Sequence, residues 1–198
     1  MSQTSSQTPL QPTVIADQLF AGEGLLRDAI RVVVANILLI LCAHIIVPLP
    51  WTPVPITGQT FGVLLVAALL GSRRSALVML MYIAEGISGL PVFAPIGLPG
   101  VFHFLGPTAG YLLSYPFAAF VAGWFSERGW GSTIARALAG MLVALAVIYA
   151  GGWAWLAILS GPRAALSMGI VPFVIADIVK VMLGAAVLPY AQKLVARL

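Results

Sequence analysis

The chain has 198 residues, of which 61% are hydrophobic and only 8% charged, with a mean hydropathy of +1.04. A soluble globular domain carries about 25% charged residues, so this composition excludes one and indicates a polytopic membrane protein with about six spans. The net charge of +4 does not indicate nucleic-acid binding, because Lys and Arg stand at the ends of apolar runs. The lone cysteine, Cys42, excludes an intrachain disulfide and a cysteine metal cluster.

The first segment of the chain is polar. Residues 1–13 are mostly Ser, Thr, Gln and Pro, without the basic and apolar regions of a signal peptide. We therefore predict a disordered tail over residues 1–16. Charged and apolar residues interleave over 17–30, which predicts a short helix lying in the membrane interface. Residues 17–198 as a whole are predicted to form a single membrane domain.

Apolar runs then predict an all-α membrane protein with six transmembrane helices. The second and third runs are short for a bilayer unless the neighbouring Gly/Pro segments contribute. The fifth is long enough to tilt and carries Gly151 and Gly152 in its middle. The predicted spans cover about 30–47, 59–71, 76–87, 111–125, 133–159 and 166–187.

Two connecting segments, 47–57 and 88–110, are rich in Pro and Gly and contain no Lys or Arg. Basic residues concentrate in the N-terminal region, in the second and fourth loops and at the C-terminus. The positive-inside rule therefore predicts cytoplasmic termini and two external Gly/Pro loops. Irregular backbone at membrane depth is tolerated where protein buries it or where it lines a cavity. We therefore expect these structured loops to form the wall or lid of a site.

The last predicted span contains two charged residues, Asp177 and Lys180. A charge inside a membrane costs several kcal/mol on most estimates, so it indicates a functional site by default. Residues at i and i+3 share one helical face, and the two side chains can reach each other. The alternative is a self-neutralising ion pair that only fixes this helix to its neighbours.

Other polar and aromatic residues fall near the same predicted external face. The neutral polar side chains could bind a ligand or simply cap helix ends, and Glu85 could be a site acid or extend to the surface. Aromatic side chains could pack on an apolar ring. Together they imply a ligand with an apolar body, an N–H/C=O edge and an anionic end. The candidate substrate-binding residues are Asp177, Lys180, Glu85, Gln59, Thr57, Trp51, Phe93, Thr108 and Tyr111.

Several catalytic classes lack their motif. Neither Lys180 nor Lys193 is followed by Ser or Thr, which excludes a P-loop and hence ATP hydrolysis by this chain. There is no Gly-x-Ser-x-Gly elbow and no His-Glu-x-x-His, and the only histidines are His44 and His103. We expect no enzymatic activity, no cofactor and no metal. Two alternatives stay open, a stand-alone secondary carrier and an intramembrane enzyme.

Five segments follow one another along the chain at 47–60, 70–73, 89–94, 106–111 and 172–180. In this order they resemble the BioY family, the biotin-specific substrate-binding (S) components of energy-coupling factor (ECF) transporters. The resemblance runs from about Arg31 to the C-terminus. It implies a six-helix S-component bundle in the cytoplasmic membrane that captures biotin, its transported ligand, from outside. It also implies a transmembrane coupling subunit with paired cytoplasmic ATPases, although some members are similar proteins that work without this module.

The resemblance also implies roles for individual residues. Asp177 and Lys180 correspond to the family's Asp-x-x-Lys ligand pair, in which the acid would accept a ureido N–H and the lysine would bind a ureido or valerate oxygen. The segment 48–57 would be the lid. Glu85 occupies a position where a polar ligand contact is expected, and could accept the other ureido N–H.

Overall fold

The computed structural model describes residues 14–15 and 24–195. Residues 1–13 and 16 of the predicted tail and residues 17–23 of the predicted interfacial helix lie outside these residues, and residues 25–30 belong to the first long helix. The described chain forms helices α1 (Leu25–His44), α2 (Gln59–Leu70), α3 (Ser72–Ile87), α4 (Ala109–Glu127), α5 (Ile134–Ser160), α6 (Pro162–Gly169) and α7 (Val174–Val195). It also forms strands β1 (Ile46–Val47) and β2 (Ile56–Thr57), and 3-10 turns at Gly100–Leu105 and Trp130–Ser132.

Two of the described helices are long and apolar enough to cross a membrane by length and composition. They are α5 and the portion of α7 from Val174 to Lys193. Helix α2 is also apolar but has only 12 residues, and a straight crossing needs about 20.

The turn between α2 and α3 depends on Gly71. Its φ of +80° favours glycine, and a Cβ there would overlap the Glu127 carboxylate at the end of α4. That carboxylate accepts hydrogen bonds from the Ser72 backbone N–H at 2.6 Å and from its hydroxyl at 2.9 Å. Glu127 thereby satisfies an otherwise unpaired donor at the start of α3 and joins α3 to α4.

Helix α4 lies at the centre of the bundle and packs against α2, α3 and α5. Close approach to α5 is possible because small residues face each other, and a Cβ on Gly110 would overlap the Gly151 carbonyl. Small residues let backbones approach closely in membrane bundles, where packing rather than the hydrophobic effect holds helices together. The glycines in the fifth predicted span therefore serve helix packing.

The prediction of one continuous helix over 166–187 was wrong. The structure ends α6 at Gly169 and begins α7 at Val174. Pro172 explains the break, because proline lacks a backbone N–H, clashes with the preceding helical turn and disfavours the α conformation of the residue before it. The break places Asp177 in the first turn of α7, where the positive end of the helix dipole favours a carboxylate.

The first Pro-rich segment folds back as a hairpin. Strands β1 and β2 pair antiparallel, with Ile46 opposite Thr57 and Val47 opposite Ile56. At the tip, the Thr52 hydroxyl donates a hydrogen bond of 2.7 Å to the Met168 carbonyl in α6. The segment 48–55 is therefore fastened across one end of the bundle.

Candidate functional site

A cavity of about 320 Å³ lies beneath this hairpin. Its walls come from the hairpin, the 94–108 segment, the first turns of α2 and α4, the middle of α5 and the start of α7. Most of the wall is apolar. The polar side chains that line it are Thr57, Gln59, Thr60, His103, Thr108, Tyr111, Tyr115, Tyr149, Asp177 and Lys180.

Asp177 and Lys180 form the charged centre of the cavity. The Lys180 ammonium lies 2.7 Å from Asp177 Oδ1 and donates a second hydrogen bond of 2.7 Å to the Thr57 carbonyl oxygen. The Tyr149 hydroxyl donates to the other carboxylate oxygen, Asp177 Oδ2, at 2.8 Å. Asp177 is only 4% exposed, so each of these bonds offsets part of the cost of burying its charge.

Gln59, the first residue of α2, is held by three side chains. Its Nε2 donates to the Tyr82 hydroxyl at 2.7 Å, while its Oε1 accepts from Thr57 Oγ1 at 3.1 Å and from the Tyr115 hydroxyl at 3.4 Å. Among the described residues, these contacts leave one amide N–H of Gln59 to offer to a ligand.

His103 closes the cavity on the side of the 94–108 segment. Its Nδ1 lies 3.1 Å from the Leu98 carbonyl oxygen, which can only accept, so Nδ1 carries the proton. In the neutral ring, Nε2 then accepts from the Thr108 hydroxyl at 3.2 Å. Burial lowers the pKa of His103, and the bond to Leu98 opposes this shift in part. The Phe93 ring packs on the imidazole with centroids 4.8 Å apart.

The structure brings six of the nine sequence-predicted site residues to the cavity wall. Tyr111 packs there with its hydroxyl donating to the Gly169 carbonyl at 2.6 Å, so its ring rather than its oxygen is available to a ligand. The six are Thr57, Gln59, Thr108, Tyr111, Asp177 and Lys180.

The other three predicted residues lie elsewhere. Trp51 is at the hairpin tip and 65% exposed. Phe93 is buried behind His103. The Glu85 carboxylate turns toward α1, where Asn36 Nδ2 donates to its two oxygens at 2.9 and 2.7 Å. Neither oxygen is among the groups that line the cavity, so the amide of Asn36 explains the position of this acid in the structure.

Sequence reasoning missed four polar residues of the cavity wall, which are Thr60, His103, Tyr115 and Tyr149. A signal for Tyr149 was available, since it is a tyrosine in the middle of a long apolar span, and a buried tyrosine hydroxyl usually has a hydrogen-bond partner. Its partner, Asp177, is 28 residues further along the chain.

A sequence model of the BioY family matches residues 7–197. The chain belongs to the BioY family. Among the curated BioY proteins, the probable biotin transporter of Pyrococcus horikoshii is 42% identical over 128 residues, covering 65% of this chain and 74% of the relative. The biotin transporter of Thermotoga maritima is 36% identical over 170 residues, covering 85% of this chain and 98% of the relative. The resemblance predicted from the sequence is thus confirmed.

Solved structures give the same result for the fold. The crystal structure of the S-component for biotin from an ECF-type ABC transporter matches with a TM-score of 0.74 at 22% identity. The match covers 85% of this chain and 92% of that one. The chain therefore has the S-component fold and belongs to a family of membrane transporters rather than of enzymes. Within the described residues, no group of three or more His, Cys, Asp or Glu could hold a metal ion.

Proposed function

We propose that this BioY chain is the biotin-binding subunit of a vitamin uptake transporter, and that biotin occupies the cavity beneath the hairpin. The observation that carries the proposal is the Asp177–Lys180 pair in a mostly apolar cavity. Asp177 would accept a ureido N–H and Lys180 would donate to a ureido or valerate oxygen. The bicyclic ring would pack on Tyr111 and its apolar neighbours.

The size and chemistry of the cavity support this ligand. A volume of about 320 Å³ falls at the lower end of the range for small-molecule sites, about 300–1,000 Å³. Biotin has an apolar thioether ring and chain, a urea edge and a carboxylate, and the cavity combines apolar walls with a few placed polar groups. Gln59 and Thr108 supply further neutral hydrogen-bonding groups.

We further propose how the chain sits in the membrane and what it works with. Six crossings place both termini in the cytoplasm, as the distribution of Lys and Arg indicates. The hairpin and the 88–108 segment then face outward, where biotin arrives, and segment 48–57 acts as the lid. Because no P-loop motif occurs in the sequence, a transmembrane coupling subunit and paired cytoplasmic ATPases would supply the energy for translocation.

The experiment that tests the ligand is a titration of labelled biotin onto the detergent-purified chain. The wild type should bind tightly, and Asp177→Asn and Lys180→Ala should each lower the affinity tenfold or more, because the remaining charge is left buried and unpaired. Lys193→Ala is the matched control, since Lys193 lies on the same helix but is exposed and outside the cavity. A folded wild type that does not bind biotin would refute this ligand.

A stand-alone secondary carrier is the alternative function. It predicts biotin uptake into vesicles that contain this chain and no ATPase. The proposed subunit predicts binding without uptake until the coupling module and ATP are added. Biotin uptake measured in one preparation of vesicles, before and after the coupling module and ATP are added, distinguishes the two functions.

A further inference from the structure

The hydrogen bonds of the charged pair extend beyond the pair itself. Lys180 bonds a single oxygen of Asp177, Oδ1, although a carboxylate offers two. The second oxygen, Oδ2, accepts a hydrogen bond from Tyr149 of α5. The ammonium also donates to the Thr57 carbonyl in the hairpin. Each charged group therefore bonds its partner and, in addition, a group on another element.

The orientation of the Tyr149–Asp177 bond follows from chemistry. A carboxylate paired with an ammonium can only accept, so the phenol proton must point at Oδ2. This contact at 2.8 Å resists rotation of the carboxylate about its own axis. Without it, Asp177 could turn toward Lys180 and present both oxygens to the ammonium. Two acceptor sites of the carboxylate would stay free in either case, but after the rotation they would point in other directions, away from where a ligand N–H would meet them now.

We propose that Tyr149 is a positioning residue that keeps the Asp177 carboxylate oriented for a ligand N–H and so determines specificity for that group. This inference rests on the proposed function and adds a residue to its site. The ligand class it selects is a cyclic urea or amide with an N–H directed at Asp177. Tyr149 acts through Asp177, so it increases the affinity only of ligands that carry this N–H.

The test compares two kinds of ligand on two proteins. One ligand is biotin, and the others are the two cyclic carbamate analogues in which a ring oxygen replaces one or the other N–H. On the wild type, the carbamate that lacks the N–H facing Asp177 binds more weakly than biotin. In Tyr149→Phe, biotin affinity should fall about tenfold, the order expected for one buried hydrogen bond. The affinity of that carbamate should change less than about twofold, because it has no N–H to lose.

A purely structural role gives a different result. If Tyr149→Phe merely loosened the cavity, biotin and the carbamate would lose affinity by the same factor, and that outcome overturns the inference. An unchanged affinity of Tyr149→Phe for biotin also overturns the inference. Tyr190→Phe is the matched control, since Tyr190 lies on α7 outside the cavity and is 69% exposed. An equal drop in biotin affinity in this control would likewise overturn the role assigned to Tyr149.

A second variant keeps the inference falsifiable if Tyr149→Phe is not recovered as folded protein. A variant with 4-aminophenylalanine in place of Tyr149 keeps a donor N–H where the hydroxyl stands and should retain the preference of the wild type for biotin over the carbamate. Loss of that preference in the folded variant contradicts the proposal. Failure of the wild type to bind biotin defeats the proposed function itself, whereas wild-type binding with equal losses in the variant defeats only the role of Tyr149.

Discussion

Lys180 reaches from α7 to the backbone carbonyl of Thr57 in the hairpin, 123 residues earlier in the chain, at 2.7 Å. The same ammonium holds Asp177. One cation therefore joins the centre of the candidate site to the second strand of the hairpin, the proposed lid. A mutation of Lys180, or a ligand that bonds it, therefore affects both the candidate site and the hairpin.

The first prediction concerns this connection. Lys180→Met retains most of the apolar side chain but removes the ammonium, so the Thr57 carbonyl and Asp177 each lose a donor. We expect hydrogen–deuterium exchange at Val47, Ile56 and Gly58, whose N–H groups bond across the hairpin, to become about fivefold faster, since one hydrogen bond contributes about 1 kcal/mol. Lys193→Met serves as the control. Unchanged exchange in the hairpin of Lys180→Met would show that its paired strands and the Thr52 contact alone hold it in place.

The second prediction concerns the hairpin tip. Thr52→Val preserves the shape of the side chain but removes the 2.7 Å bond to the Met168 carbonyl. The tip should open more often, so stopped-flow measurements should show biotin leaving several-fold faster than from the wild type. Trp51→Ala is the neighbouring control, because Trp51 is exposed and away from the cavity wall. A slower or equal release from Thr52→Val would exclude this contact as a restraint on the lid.

The positions of helices could be predicted where an apolar run has a clear beginning and end in the sequence. The predicted span 59–71 compares with α2 at Gln59–Leu70, and 111–125 compares with α4 at Ala109–Glu127. Gly, Pro and charged residues end these runs. The break before α7 was not predicted, because the surrounding residues are all apolar and hydropathy averages over Pro172. Its recognition required the backbone chemistry of proline rather than composition.

Chemical rarity explains which site residues could be predicted. A charged pair in an apolar span is uncommon, so Asp177 and Lys180 could be predicted as candidate site residues from sequence alone, and both line the cavity. The contact between Tyr149 and Asp177 depends on how α5 is rotated against α7, which is a property of long-range packing. Glu85 was predicted for the same reason, yet its partner Asn36 lies 49 residues earlier on a helix that contributes no residue to the cavity wall. Neither the Tyr149–Asp177 contact nor the Glu85–Asn36 contact can be predicted from residues that are neighbours in the sequence.

The third prediction separates Glu85 from the ligand. Glu85→Gln retains an amide-bonding group opposite Asn36, so biotin affinity should stay within about threefold of the wild type. Glu85→Ala leaves the buried Asn36 amide without this acceptor and should lower the free energy of unfolding by about 1–3 kcal/mol. Titration and thermal unfolding measure the two effects. A tenfold loss of biotin affinity in folded Glu85→Gln would show that the carboxylate reaches the ligand after all.

The fourth prediction is a pH dependence that arises at His103. Burial lowers the pKa of its imidazole in the folded protein below the usual value of about 6.5. Between these two pKa values the unfolded chain binds more protons than the folded one, so stability increases with pH across this window. The stabilisation is complete above about pH 6.5 and is lost as the pH falls toward the pKa of the folded state.

Thermal unfolding from pH 7.5 to 5.0 measures this effect. His103→Gln is the informative variant, because its amide can still donate to the Leu98 carbonyl and accept from the Thr108 hydroxyl but does not titrate. The wild type should lose stability as the pH drops below about 6.5, and the variant should lose less over the same range. Parallel pH profiles for the two proteins would exclude His103 as the titrating group, since the substitution removes its proton site while preserving both hydrogen-bond roles.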